Sequence, residues 1–223
     1  MFLGLSTIGE RISIGLASMT GSPLSEHTTI ATRTLSENLI THIETLCAEH
    51  VMTLQDIQGV GVLVGPGTYT SLRIGVTVAK SIGQVLDIPV YGISTFDGLI
   101  YPFRAINGLY FSVIPARANE LNWAMWNTQS QIPTRLSPDL CMPVDRFVRI
   151  VSKINGTIYI VGSIPDTLKT LLADHKTIRV IETIPSGMCA AQIALNRFHT
   201  AVAPGRVVPV YSHQPFTGPV KKP

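Results

Sequence analysis

A chain of 223 residues is long enough for one large domain or two small ones, with a substantial core in either case. At 45% hydrophobic and only 14% charged it is apolar for a water-soluble protein, so either the core is large or apolar surface meets another chain. A net charge of +3, with Lys221 and Lys222 near the end, is too weak and scattered for autonomous nucleic-acid binding. No run approaches the roughly 20 apolar residues of a membrane span.

Residues 1–7 carry no basic segment ahead of an apolar stretch, which argues against a secretory signal and for a cytoplasmic protein. Residues 2–8 and 11–17 are expected as strands, with Glu10 in the turn between them, and the Thr- and Ile-rich stretch 28–34 as a third. Such close spacing implies an antiparallel meander, because parallel strands need long crossovers. A helix is expected from about Ser36, with Leu39, Ile43, Leu46 and Cys47 at helical spacing. Residues 57–64 form a short, nearly unbroken apolar run, the pattern of a strand buried on both faces. A Gly-Pro-Gly turn, a long helix and a strand at 89–93 follow.

After Gly98 the texture changes. Strands are expected at 109–114 and 121–126, flanking a turn at 116–120, and prolines 133, 138 and 143 break up what comes next. A helix at 144–154, a strand at 157–161, a short helix after Pro165 and a strand at 177–181 complete a second α/β unit. Residues 186–198 read as a closing helix. The expected organisation is an N-terminal lobe over 1–98, completed by the helix 186–199, a second lobe over 99–185, and a loose Pro-rich tail over 204–223. There is no internal repeat at the level of sequence identity.

The informative segment is Gly65-Pro66-Gly67-Thr68-Tyr69-Thr70-Ser71-Leu72-Arg73-Ile74-Gly75. A glycine-rich turn between a buried strand and a helix can cradle phosphate on backbone N–H groups. The specific fingerprints fail, however. Lys80-Ser81 follows Ala79 rather than glycine and lies inside the helix, and Thr70 stands where a dinucleotide motif needs glycine or alanine.

The helix itself carries more. At about 100° per residue, Arg73, Thr77, Lys80 and Gln84 share one narrow polar stripe. Leu72, Ile74, Val76, Val78, Ala79, Ile82, Val85 and Leu86 cover most of the rest, an arc roughly twice that of an ordinary surface helix. Such a helix should be covered on two sides, by its own sheet and by a partner helix or the protein's second domain. Gly75, Ala79 and Gly83 recur every four residues and would let another backbone come close.

This central segment resembles the G-P-G-S-F-T-G-L-R-I-G motif of the bacterial TsaB (YeaZ) family. Leu86-Asp87-Ile88-Pro89-Val90-Tyr91-Gly92-Ile93-Ser94 is similar to its L-x-x-P-V-x-G-V-S strand. Ala116-Arg117 with Glu120 resembles its D-A-R-x-x-E-V-Y hairpin, with Pro115 in place of the acid. Ile184-Pro185-Ser186 and Pro209-Val210-Tyr211 match the last helix entry and the terminal P-x-Y.

The resemblance implies an actin-like/hexokinase-like ATPase fold, two α/β lobes each built on a ribonuclease-H-like sheet. It also implies a non-catalytic role in making N6-threonylcarbamoyladenosine in tRNA, supporting the transferase TsaD together with the ATPase TsaE. No catalytic and no metal-binding residue is assigned. Pairing with TsaD, or as a homodimer, is expected through the helix after Gly67, with Tyr69, Thr70, Leu72, Arg73, Ile74 and Val78 at the interface and Gly65, Gly67, Gly75 and Gly83 as close-packing positions. tRNA would be met only through the complex. No tightly bound cofactor is expected, with ATP or ADP and Mg left for the complex with TsaD.

The sequence departs from that pattern where nucleotide chemistry would sit. The acidic D-T-S ending the first strand is Ser6-Thr7-Ile8, which argues against independent ATP turnover. Leu35 replaces the histidine before the Ser-Glu of the first helix, Ser71 replaces a glycine, and Ser212-His213 replaces Leu-Arg.

Other chemistries find little footing. His42 and His50 are eight apart and His27 is distant, so the H-x-x-x-H metal pair is absent, and there is no G-x-S-x-G elbow. Cys47, Cys141 and Cys189 are odd in number and far apart, and read as small buried hydrophobes in a reducing compartment. Trp123 and Trp126 should lie on opposite faces of their strand. A small ATP-binding ATPase or kinase of the same superfold is the competing reading, carried by the glycine-rich turn alone.

Overall fold

β1 (Phe2–Ser6) is buried along its whole length, as a strand covered on both faces must be. In the computed structural model, which describes residues 1–31, 35–129, 132–199 and 207–212, it is the middle of five strands. It pairs antiparallel with β2 (Arg11–Ala17) and parallel with β4 (Gly59–Gly65). β3 (Pro23–Ile30) continues antiparallel beyond β2, and β5 (Val90–Ser94) parallel beyond β4. The two reversals need only tight turns, at Gly9 and Gly21, both in the left-handed region with φ of 84° and 85°. The parallel pairs need crossovers, and α1 (Leu35–Ala48) and α2 (Tyr69–Leu86) supply them.

β3 begins earlier than its Thr- and Ile-rich part suggests. The turn over 18–22, closed by Ser18 N donating to Ser22 O at 2.9 Å, pairs Pro23 with Ala17. The strand is a largely exposed sheet edge, so little hydrophobic alternation marks its true start. Of the expected stretch 28–34, residues 32–34 lie outside the described residues.

α1 and α2 cover one face of this sheet, packing Leu39, Ile43, Val76, Ala79 and Ile82 on Leu3, Leu5, Ile14 and Val62. α6 (Gly187–His199) covers the other with Ala190, Ala191 and Ala194. Close approach is possible because the strands present glycine beneath small helix residues. A Cβ on Gly4 would stand 1.9 Å from Gly187 O, and one on Gly61 2.2 Å from Ala190 O.

The second sheet repeats the plan. β7 (Glu120–Asn127) lies antiparallel to β6 (Leu109–Pro115) and to β9 (Leu140–Pro143). β10 (Ile158–Gly162) and β11 (Ile178–Glu182) add parallel strands beyond β6, and the two-residue β8 (Thr134–Arg135) also pairs with β7. The order β9-β7-β6-β10-β11 has the same directions as β3-β2-β1-β4-β5.

α4 (Val144–Val151) and α5 (Asp166–Leu172) cover one face with Phe147 and Leu168 over Phe111, Trp123 and Ile160. α3 (Thr95–Ile100) covers the other with Phe96, Leu99 and Ile100 against Tyr110, Trp126 and Val161. The two tryptophans therefore lie on opposite faces, and Trp126 Nε1 donates to Ser112 Oγ at 2.8 Å. Six residues with a glycine inside are too short to show a helical period, so α3, together with β8 and β9, is not legible in the sequence. α3 spans the boundary placed at residue 98 and is the element shared by the two lobes.

Candidate functional site

The junction begins where β4 runs out. Gly65 takes φ of 122°, the chain turns through Pro66 and Gly67, and Thr68 leads into α2, its carbonyl accepting from Leu72 N at 3.0 Å. Two threonines pin the turn from below. Thr95 Oγ1 donates to Pro66 O at 2.9 Å, and Thr7 Oγ1 to Ser71 O at 2.7 Å.

The space that two glycines leave open is already filled. A Cβ on Gly65 would meet the carbonyl oxygen of Val210 at 2.1 Å, and one on Gly67 the Ile8 side chain at 2.8 Å. The Cβ directions of both glycines are thus taken up by packing within the protein, while Gly67 and Thr68 still border the open space between the lobes. Ser6, where the resemblance places an acid, is fully buried, and its Oγ makes no hydrogen bond among the described residues.

α2 distributes its expected site residues over three directions. Tyr69, Thr70 and Arg73 are exposed, with Thr77, Lys80 and Gln84 continuing the same face. Arg73 lies over the Tyr69 ring at 5.3 Å and donates to its hydroxyl at 3.0 Å. Ile74 and Val78 are half-buried against the cluster that holds α1, so α1 itself takes part of the second side of the helix. Leu72 is a correction. It is fully buried with Leu63 and Ile93, because it heads the row Leu72, Val76, Ala79 and Gly83 that repeats at helical spacing and faces the protein's own sheet.

Gly75 and Gly83 also face inward, a Cβ meeting Thr7 Oγ1 at 2.4 Å and Val90 Cγ2 at 2.3 Å respectively. Their smallness serves the approach of α2 to its own sheet. Val85, expected within the apolar arc, is 81% exposed.

Between the lobes runs a cleft. One cavity of about 320 Å³ is walled by Ile8, Glu10, Arg11 and Thr68 from the first lobe and by Ile114, Pro115 and Ser163 from the second. Two smaller ones, of about 240 and 260 Å³, flank residues 210–212. That segment is the described part of the tail, and here the expectation of a loose end does not hold. Val207 is buried, Val210 N donates to Val64 O at 2.7 Å, and the Tyr211 ring lies 4.8 Å from that of Tyr69. The rest of the expected tail lies outside the described residues, and nothing in the composition of 207–212 marks its docking.

At the lobe junction Asp97 of α3 meets Arg197 of α6 at 3.3 Å and Arg135 of β8 at 3.8 Å. Burial pushes the Asp97 carboxyl above the usual carboxylate range, against the opposing pull of Arg197 and Arg135. Of the cysteines expected to be buried, Cys47 and Cys189 are and Cys141 is only half-buried; burial pushes all three thiols up, away from reactive thiolates. Among the described residues no group of three or more His, Cys, Asp or Glu side chains is arranged to hold a metal ion. No described helix is long and apolar enough to cross a membrane.

A five-stranded and a six-stranded sheet that share one five-strand order and face each other across a cleft define the two-lobed, actin-like/hexokinase-like α/β class. The family model for TsaD, tRNA N6-adenosine threonylcarbamoyltransferase, matches residues 27–151, more than half of the chain. The chain belongs to that family and stands as a divergent relative of its TsaB (YeaZ) branch.

It is 24% identical over 151 residues to the tRNA threonylcarbamoyladenosine biosynthesis protein TsaB of Bacillus subtilis (strain 168), covering 68% of this chain and 66% of that protein. It is 34% identical over 107 residues to an uncharacterized protein of Mycobacterium tuberculosis, covering 46% of this chain and 47% of the relative. The matches thus span just under two thirds of one relative and about half of the other. YeaZ from Pseudomonas aeruginosa superposes with a TM-score of 0.72 at 20% identity, covering 94% of this chain and 98% of that one. The ADPNP-bound activator of the 2-hydroxyisocaproyl-CoA dehydratase from Clostridium difficile superposes with a TM-score of 0.53 at 12% identity, covering 91% and 98%. Both support the fold.

Proposed function

We propose that this chain takes part in forming threonylcarbamoyladenosine in tRNA as a non-catalytic subunit that supports a TsaD-type transferase. The observation that carries the reading is the exposed face of α2. Tyr69, Thr70, Arg73, Thr77, Lys80 and Gln84 line up on it with two cations and no carboxylate. Such a face suits a partner surface bearing carboxylates. Ile74 and Val78 belong to the edge shared with α1 and support the face from below.

In this reading TsaD is the principal partner and the ATPase TsaE joins the complex, while a homodimer through the helix after Gly67, which sets two cationic faces together, is the weaker pairing. tRNA, and ATP or ADP with Mg, are met only in that assembly. The relationship to a protein named for threonylcarbamoyladenosine biosynthesis supports the pathway, and Ser6 supports the absence of independent turnover.

The test is co-purification with the TsaD of the same cells, and a threonylcarbamoylation assay with and without this chain. Arg73→Glu, on an exposed side chain, should weaken the complex by about tenfold or more, equivalent to about 1.4 kcal/mol. An Ile74→Glu variant is less informative, since it also disturbs packing against α1. Calorimetry of the isolated chain with Mg-ATP decides against the competing class. Micromolar binding with turnover would replace the scaffold reading with a small ATPase or kinase.

A further inference from the structure

We propose that residues 207–212 form a displaceable strap that closes the mouth of the interlobe cleft and so gates entry to it. The strap starts against α2. Val207 is buried, and Lys80 Nζ donates to its carbonyl at 3.4 Å. Val210 then crosses the end of β4, where its N–H reaches Val64 O at 2.7 Å and its carbonyl oxygen takes the space in front of Gly65. Tyr211 ends the crossing on the Tyr69 ring. All these anchors belong to the first lobe.

On the other side the strap faces the second lobe. Tyr211 and Ser212, with Asn122, border both of the smaller cavities, and the second cavity continues to Asp139, Leu140 and Cys141. The strap is therefore the wall that separates them, and its departure joins them into one opening between the lobes. Gly67, Thr68 and Pro115 link that opening to the larger cavity behind.

The anchoring is sparse enough to be reversible. Among the described residues two hydrogen bonds, Val210 N to Val64 O and Lys80 Nζ to Val207 O, one buried valine and one ring contact hold it, while Val208 and Val210 remain 48% and 44% exposed. Segments with so few buried contacts open far more readily than the core they lie on. The inference rests on this chain alone and stands or falls independently of the TsaD reading.

Cys141, half-buried, borders the cavity that the strap also lines and serves as the reporter, with Cys47, buried in the first-lobe core, as the reference. In the full chain, Val210→Pro removes the N–H that reaches Val64. Iodoacetamide alkylation of Cys141 should then accelerate about tenfold or more over the wild type, with Cys47 still protected. In the wild type the Val210 amide should exchange with deuterium at least about a hundredfold faster than that of Val62.

An unchanged Cys141 rate beside a protected Cys47, or a Val210 amide as slow as Val62, overturns the proposal. If Cys47 alkylates in step with Cys141 because Val210→Pro disturbs folding, Tyr211→Ala decides on the same criteria. Should Cys47 follow Cys141 there too, the segment is part of the core and the gate does not exist.

Discussion

Ser6 shows how one atom can report on what a site is built to do. Its Oγ is buried at the end of β1 without a hydrogen-bond partner among the described residues, so the hydroxyl contributes desolvation cost and no compensating bond. Ser6→Ala is expected to leave stability unchanged or raise it by up to about 1 kcal/mol in urea unfolding. Ser6→Asp, which restores the carboxylate of the family pattern, should cost about 3 kcal/mol or more by burying an unpaired charge. A well-tolerated aspartate would mean that the position is open to solvent or to a bound cation, and the scaffold reading would lose its main residue-level support.

Among the elements, α6 depends most on residues far away in the chain. Its first turn is held by the Glu26 carboxylate of β3, which accepts from the hydroxyls of Ser13 and Ser186 and from Met188 N. Ser13 Oγ in turn accepts from Gly187 N at 2.7 Å, and Ser186 Oγ from Cys189 N at 3.1 Å. A carboxylate at a helix N-terminus satisfies orphan N–H donors and meets the positive end of the helix dipole.

Glu26→Ala should therefore cost about 1–2 kcal/mol. The loss should appear as faster amide exchange in both β3 and α6, which this contact joins. Loss confined to β3 would mean that the carboxylate only decorates the edge strand. α2 is the contrasting case, built from contiguous sequence. Its inward residues, among them Leu72, Gly75, Val76, Ala79 and Ile82, follow the helical period and face its own lobe.

For the whole molecule the joint between the lobes is decisive, and Asp97 sits in it, between Arg197 of the first lobe and Arg135 of the second. Burial outweighs the two guanidinium groups and raises the folded-state pKa. The folded state then holds the Asp97 proton more tightly than the unfolded chain does. Its contribution is fully present below the unfolded value of 3.8 and is lost as pH rises through the higher folded value. Asp97→Asn carries no such titration, so its stability relative to the wild type should improve steadily from pH 4 toward neutrality. Urea unfolding at several pH values measures this difference. A difference that moves the other way would show that ion pairing, not desolvation, governs the joint.

Much of this was legible before any coordinates. The buried strand at β4, the long helix after the glycine turn, the two tryptophan faces and the order of α/β elements all follow from local periodicity, which needs only neighbours along the chain. The motif between Gly65 and Gly75 also carried the family. The internal repeat, by contrast, is a repeat of strand directions without shared residues, and appears only once the two sheets are seen side by side.

The same limit applies to the contacts that give the glycine turn its meaning. The sequence alone determined that a small-residue turn joins a buried strand to a wide apolar helix. Only the tertiary structure decided that Ile8 and the Val210 carbonyl fill that turn, and that α1 takes part of the helix's second side. The reason is physical: the groups that fill a glycine's empty space lie 59 residues before Gly67 and 145 after Gly65, and no local pattern records them.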